Sequence, residues 1–311
     1  TMDFTILHED STAGFIKKLD LNGQFFLASD TMFQVTFQSK ANSNIALGSD
    51  NWNIEKNNYI RFGKGRVETK NFELTDGKRN VLIESYRDKG LKLALNNMDF
   101  GFINDVWVFP KLDLRGRFDF QIIAEDIFKL ENLAARADMP DLTVNGDSFG
   151  AVSLQAKAPD IRSAATAELS ITKGVQTLLA TGFYNLPNFV TTTATANQQP
   201  NYFNFDLEVD QYPVNFLEYL IGDAISNTVG KFDINAQIFG QPTRPDIRGK
   251  LRMYDTAVTL DYLNLRMFVN DDTAEITSTT IDASGGIIRD RAGNTARVSG
   301  GLTHNHLKNF G

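Results

Sequence analysis

Between Gly230 and Tyr254 the chain reads "GKFDINAQIFGQPTRPDIRGKLRMY". Phe232, Ile234, Ala236 and Ile238 stand at alternate positions, with Asp233, Asn235 and Gln237 between them. Successive side chains of a strand point to opposite faces, so this spacing predicts a strand with one apolar and one polar face. Beyond a proline-bearing turn, Ile247, Leu251 and Met253 alternate with Arg248, Lys250 and Arg252, which predicts a second strand of the same kind.

The pattern recurs along the chain. It is found at "FQVTFQS" (33–39), "YIRFG" (59–63), "GRVETKNFEL" (65–74), "NVLIESY" (80–86), "LKLAL" (91–95) and "KLDLRGRFDFQII" (111–123). It continues at "DLTVNG" (141–146), "AVSLQAKA" (151–158), within 164–173, and at "YFNFDLEV" (202–209). Gly, Asn and Asp punctuate these runs as turn residues, and a strand every ten or so residues predicts an all-β protein.

One short helix is predicted at "PVNFLEYLIG" (213–222), where Asn215 can cap, Glu218 follows three residues on and Gly222 ends the run. "AEDIFKLENLAARA" (124–137) is compatible with helix or strand. A short repeat, "GRFDF" at 116–120 and "GKFDI" at 230–234, suggests modules of about 115 residues. Each copy follows an aromatic-rich segment, 102–110 in one case and 216–222 in the other. The chain is accordingly read as a continuous array of three sections, 1–115, 116–229 and 230–311. The polar stretch "TTTATANQQPN" (191–201) is the best candidate for a boundary or exposed loop.

About 25 strands with one apolar face each are too many for a single open sheet that neither curls nor splits. Two arrangements suit them: a sandwich whose apolar faces close on each other, or an elongated, curled sheet whose apolar faces look inward across a groove. Stacked at about 4.8 Å per strand, the second could run on the order of 100 Å. A bare apolar groove needs an occupant, and acyl chains suit one that is continuous.

Composition sharpens this picture. Phe occurs 24 times against 8 Tyr and 2 Trp. Phe has no polar tip to satisfy, which suits a dry surface. The net charge of −7 argues against a nucleic-acid groove, which needs clustered cations. There are no cysteines, which excludes a disulfide framework, Cys-ligated zinc and thiol catalysis, and is compatible with an oxidising envelope compartment. No leader-like run opens the chain, and no stretch of about 18 apolar residues occurs in it. The chain starts and stops in mid-pattern, which reads as an internal section of a longer protein.

Candidate chemistry is sparse. "SITK" (170–173) has S-x-x-K spacing but sits in strand text without companion motifs. "FGKGRVE" (62–68) lacks the spacing of a phosphate loop and reads as a hairpin turn. His304 and His306 could form a metal pair on one strand face, but His8 is the only other histidine and no full ligand set is evident. "NDD" (270–272) and "DRAGN" (290–294) read as turns. No catalytic group, metal site or cofactor is expected, and the chain is read as non-enzymatic.

From Gly230 onward the text carries a family pattern. Gly-x-hydrophobic-x-hydrophobic strands lead to a G-x-P-x-x-P-x-hydrophobic-x-G turn over Gly240–Gly249. A stretch with Asp290, Gly293, Asn294, Ala296, Val298, Gly300, Leu302 and His304 follows. This resembles the TamB (translocation and assembly module) family of the wider AsmA-like group, most specifically over 216–310. The resemblance implies a periplasmic protein of Gram-negative type, anchored in the inner membrane by a segment absent here, with a U-shaped groove. It also implies phospholipid as cargo and an outer-membrane assembly barrel of the Omp85 type as partner. The groove-lining residues expected are Phe232, Ile234, Ala236, Ile238, Leu251, Met253, Val258, Leu260, Leu265, Met267, Val269, Val298 and Leu302. The alternative is a scaffold for outer-membrane protein assembly, in which open strand edges pair with incoming strands.

Overall fold

The computed structural model describes residues 1–9, 16–39, 45–47, 50–100, 113–186, 199, 201–216, 218 and 225–306. The expected aromatic segment at 102–110 and most of the boundary stretch at 191–201 lie outside them. So does the greater part of the predicted helix; within it, Asn215, Phe216 and Glu218 are helical.

The described residues form an all-β chain of antiparallel strands, as the alternation predicts. They fall into two compact units, Thr1–Ile161 and Arg162–Gly311. The first contains Met2–Glu9 (β1), Ile16–Ser29 (β2), Met32–Ser39 (β3), Ile45–Leu47 (β4), Asp50–Ile54 (β5), Tyr59–Gly63 (β6) and Arg66–Lys70 (β7). It continues with Phe72–Thr75 (β8), Asn80–Tyr86 (β9), Gly90–Asp99 (β10), Leu114–Arg115 (β11), Arg117–Asp126 (β12), Glu131–Val144 (β13) and Asp147–Asp160 (β14). The second contains Ala164–Lys173 (β15), Gln176–Asn185 (β16), Phe203–Pro213 (β17), Ile225–Gln241 (β18), Arg244–Leu260 (β19) and Leu265–Ile276 (β20). The short strands Thr280–Asp282 (β21), Ile287–Arg289 (β22), Thr295–Arg297 (β23) and Gly301–Thr303 (β24) complete it. A 3-10 turn, Asp261–Leu263, joins β19 to β20.

In the first unit β2 branches, pairing with β3 along one part and with β4 near its start. Leu21, Ile45, Leu47, Trp52, Ile54, Met98, Phe100 and Phe118 pack together into a closed core. The segment 124–137 resolves as strand, turn, strand: Asp126 accepts the N–H groups of Phe128 and Lys129 at 3.0 and 3.2 Å and closes the β12–β13 turn. Its helix-forming Ala and Leu are overridden by pairing with β12 and β14.

The 116/230 repeat has a physical basis, copied in both units. Gly116 and Gly230 adopt φ 127° and 114°, and a Cβ at either would strike a backbone carbonyl oxygen, of Asp141 at 2.3 Å or of Asp255 at 2.4 Å. Phe118 and Phe232 point inward and are buried. Asp119 accepts the N–H of Asn97 at 2.7 Å, and Asp233 that of Gln211 at 2.8 Å. Asn97 and Gln211 are the left-handed residues of β-bulges in the preceding strands, at φ 55° and 51°. Phe100 N–H reaches Gly116 O at 3.2 Å, and Val214 N–H reaches Gly230 O at 3.1 Å. The motif is therefore a bulge with its clamp.

Candidate functional site

Register in the second unit aligns the apolar positions across successive strands. One row runs Ile171, Leu178, Val209, Ile234, Leu251 and Ala274. The next runs Leu169, Ala180, Leu207, Ala236, Gly249 and Ile276, and a third runs Ala167, Gly182, Phe205, Ile238 and Ile247. These rows share one face because each lies two residues from the next. The other face carries Ser170, Leu179, Glu208, Asn235, Lys250 and Glu275 in one row.

Towards the end of this unit the apolar face curls over. Ile281, Ile288, Val298 and Leu302, from the 280–303 hairpin, share a cavity of about 570 Å³ with the β19 and β20 residues. Nine expected groove residues line it: Leu251, Met253, Val258, Leu260, Leu265, Met267, Val269, Val298 and Leu302. Ile234, Ala236 and Ile238 lie on the same face, in the rows above. Phe232 shares that face but is fully enclosed, at 0% exposure, with Phe216 stacked on it at 6.3 Å and Tyr212 edge-on at 6.3 Å. Burial pushes the Tyr212 phenol up to about 12.

The alternation pattern also extends the face to residues not singled out above. Ile281 and Ile288 carry it into the closing hairpin, and Leu169, Ile171, Leu178, Leu207 and Val209 carry it back to β15. Val214, Ile225, Tyr262 and Leu263 join the cavity through turns and a bulge, where period-two reasoning has no purchase.

Electrostatics follow the same division. On the polar face Arg252 forms a two-pronged ion pair with Asp271, both bonds at 2.8 Å, and holds that carboxyl below the usual range. Tyr254 donates to Asp233 at 2.7 Å. On the apolar side Asp272 is the only charged side chain among the described residues lining the cavity. Its oxygens accept the N–H groups of Thr273 at 2.9 Å and Ile287 at 2.8 Å.

The histidines go separate ways. His304 is buried with Nε2 at 3.1 Å from Thr277 O, while the Nδ1 of His306 lies 3.0 Å from Asp246 and its Nε2 accepts from Arg244 at 2.6 Å. No group of three or more metal-ligating side chains occurs among the described residues. No helix among them is long and apolar enough to cross a membrane.

No protein-family profile, curated protein or solved structure matches the chain.

Proposed function

We propose that the chain is a non-enzymatic lipid conduit, whose apolar face in the second unit solvates phospholipid acyl chains. The observation that carries this is the in-register continuity of the apolar rows across β15–β20 and their run into the cavity. A sheet face needed only for folding is covered by a second layer. Here Ile171, Leu178, Val209, Leu251 and Ala274 are buried, while Ile234, Ile238, Met253, Leu260 and Met267 on the same face keep part of their surface accessible. Each methylene of an acyl chain moved from water onto such a face contributes about 0.8 kcal/mol, so binding needs no specific polar contact.

The proposal extends to the setting that the resemblance implies. That setting is periplasmic, with inner-membrane anchorage, phospholipid as cargo and an outer-membrane barrel of the Omp85 type as partner.

The test is native mass spectrometry of the purified chain incubated with phospholipid vesicles. Bound phospholipid is expected on the natural chain and its loss is expected in Ile234→Asp and Met253→Asp, with Asn235→Asp unaffected. Equal lipid on all four would overturn the proposal.

A further inference from the structure

The hairpin that closes one wall of the cavity is not attached to β20 along its whole length. β22 pairs with β20 at Phe268 and Val269, and β21 pairs with it at Glu275 and Ile276. Between these points, from Asn270 to Ala274, β20 has no register pair with the hairpin. There the hairpin turns aside through Ala283–Gly286 and Val298–Gly300. These two stretches bond to each other instead. Gly285 N–H reaches Val298 O at 2.9 Å, Val298 N–H reaches Gly286 O at 2.8 Å, and Gly300 N–H reaches Ser284 Oγ at 2.8 Å. Gly285 and Gly300, at φ 94° and 102°, form the two sides of this bend.

One side chain spans the gap. Asp272 lies within β20, not in the turn that Asn270–Asp272 predicts; it stands on the cavity face, opposite Met253, and its Oδ2 accepts the Ile287 N–H at 2.8 Å. Gly286 packs directly on that carboxylate, where a Cβ would lie 2.5 Å from Oδ2 and 3.1 Å from Cγ. A carboxylate among apolar wall residues contributes nothing to an acyl-chain surface. Beside its local bond to the Thr273 N–H, the carboxylate ties the hairpin to β20 through Ile287.

We infer that this gap is a side portal of the cavity, with Asp272 as its clasp, through which an acyl chain enters and leaves laterally. The inference rests on the reading of the cavity as an acyl-chain site. Opening it from the β22 end breaks one charge-assisted hydrogen bond and two register pairs, and leaves the two pairs of β21 with β20 in place. Separating β19 from β20 would instead break a ladder running from Gly249 and Ile276 to Leu260 and Leu265. Ile287, at the lip, is 53% exposed, so water reaches the released N–H and carboxylate at once.

The chain has no natural cysteine, so a disulfide can serve as a lock. In the double variant Asp272→Cys, Gly286→Cys the new sulfur at 272 and the Cβ at 286 meet at the spacing of a disulfide. The readout is the rate of uptake of cis-parinaric acid, a fluorescent fatty acid, by the full chain. The oxidised variant is expected to take up the probe about tenfold more slowly than the same variant after reduction. Asp272→Ala is expected to take it up faster than the natural chain, with faster hydrogen exchange at the Ile287 amide. Equal rates in oxidised and reduced forms, with probe bound in both, would overturn the portal and leave the acyl-chain site standing. So would an unchanged rate in Asp272→Ala. Failure of the natural chain to bind the probe would overturn the acyl-chain site, and the portal with it.

Discussion

Asp119 and Asp233 each hold the backbone of a neighbouring strand in a bulge, from the same position of the same short motif. Without the carboxylate the left-handed residue keeps its conformation but loses the acceptor for its N–H. Asp233→Ala is expected to destabilise the second unit by about 1–2 kcal/mol, and Asp233→Asn, which keeps an acceptor, by less. Urea unfolding of the two variants checks this, and Asp119→Ala should behave alike in the first unit. Arg79 is a second centre. It donates to Asp76 at 2.7 Å, Asp50 at 2.6 Å and Asp99 at 3.1 Å, and its guanidinium lies 5.3 Å from the Trp52 ring centre. Arg79→Met would leave three carboxylates facing each other and should cost about 3 kcal/mol. Burial works to raise the Asp76 pKa, but the N–H groups of Arg79 and Lys78 and the Arg79 guanidinium outweigh it and hold the carboxyl below its usual range. Its contribution to stability is therefore full above the unfolded value, about 3.9, and is lost as pH falls through the lower folded value. Asp76→Asn should flatten the acid limb of the stability–pH curve while leaving its slope near neutrality unchanged. None of the Arg79 partners was legible beforehand, because Asp50, Asp76 and Asp99 lie on separate strands and turns and only the fold gathers them.

The strands themselves were legible wherever the period held. β18 and β19 follow the alternation of Phe232–Ile238 and Ile247–Met253 closely, because one face of each is apolar and a one-residue slip would turn that face outward. The breaks in the period were not legible. Asn97, Gln211 and Asp255 take positive φ at bulges, and nothing in their neighbours' hydropathy marks them. The GxFD repeat was the one trace, and its meaning needed the hydrogen bonds. Gly249 illustrates how tightly the rows are drawn together. A Cβ there would lie 2.3 Å from Asn235 O and 2.4 Å from Ala236 Cα, both backbone atoms. Gly249→Val is expected to cost about 3 kcal/mol through strand separation, read as a lower midpoint in thermal unfolding. In the 280–303 hairpin, Asp290–Asn294 forms the turn that its residue types predict, and Val298 and Leu302 line the cavity as expected. The hairpin's role as a cavity wall depends on Ile281 and Ile288 meeting β20, a contact between segments that local pattern does not encode.

Taken as a whole, the chain is all-β, acidic and rich in Phe, and these properties exclude more functions than they assign. A net charge of −7 on a protein proposed to carry phospholipid fits a mode of binding that grips acyl chains and leaves headgroups in water. The central prediction is then one of periodicity. A photoreactive phenylalanine analogue placed singly at each position from Asp233 to Ile238, in cells with radiolabelled phospholipid, measures it directly. Adducts with phospholipid are expected at Ile234, Ala236 and Ile238 and absent at Asp233, Asn235 and Gln237. Adducts of equal yield at all six positions, or adducts with protein in place of lipid, would contradict the lipid-conduit reading.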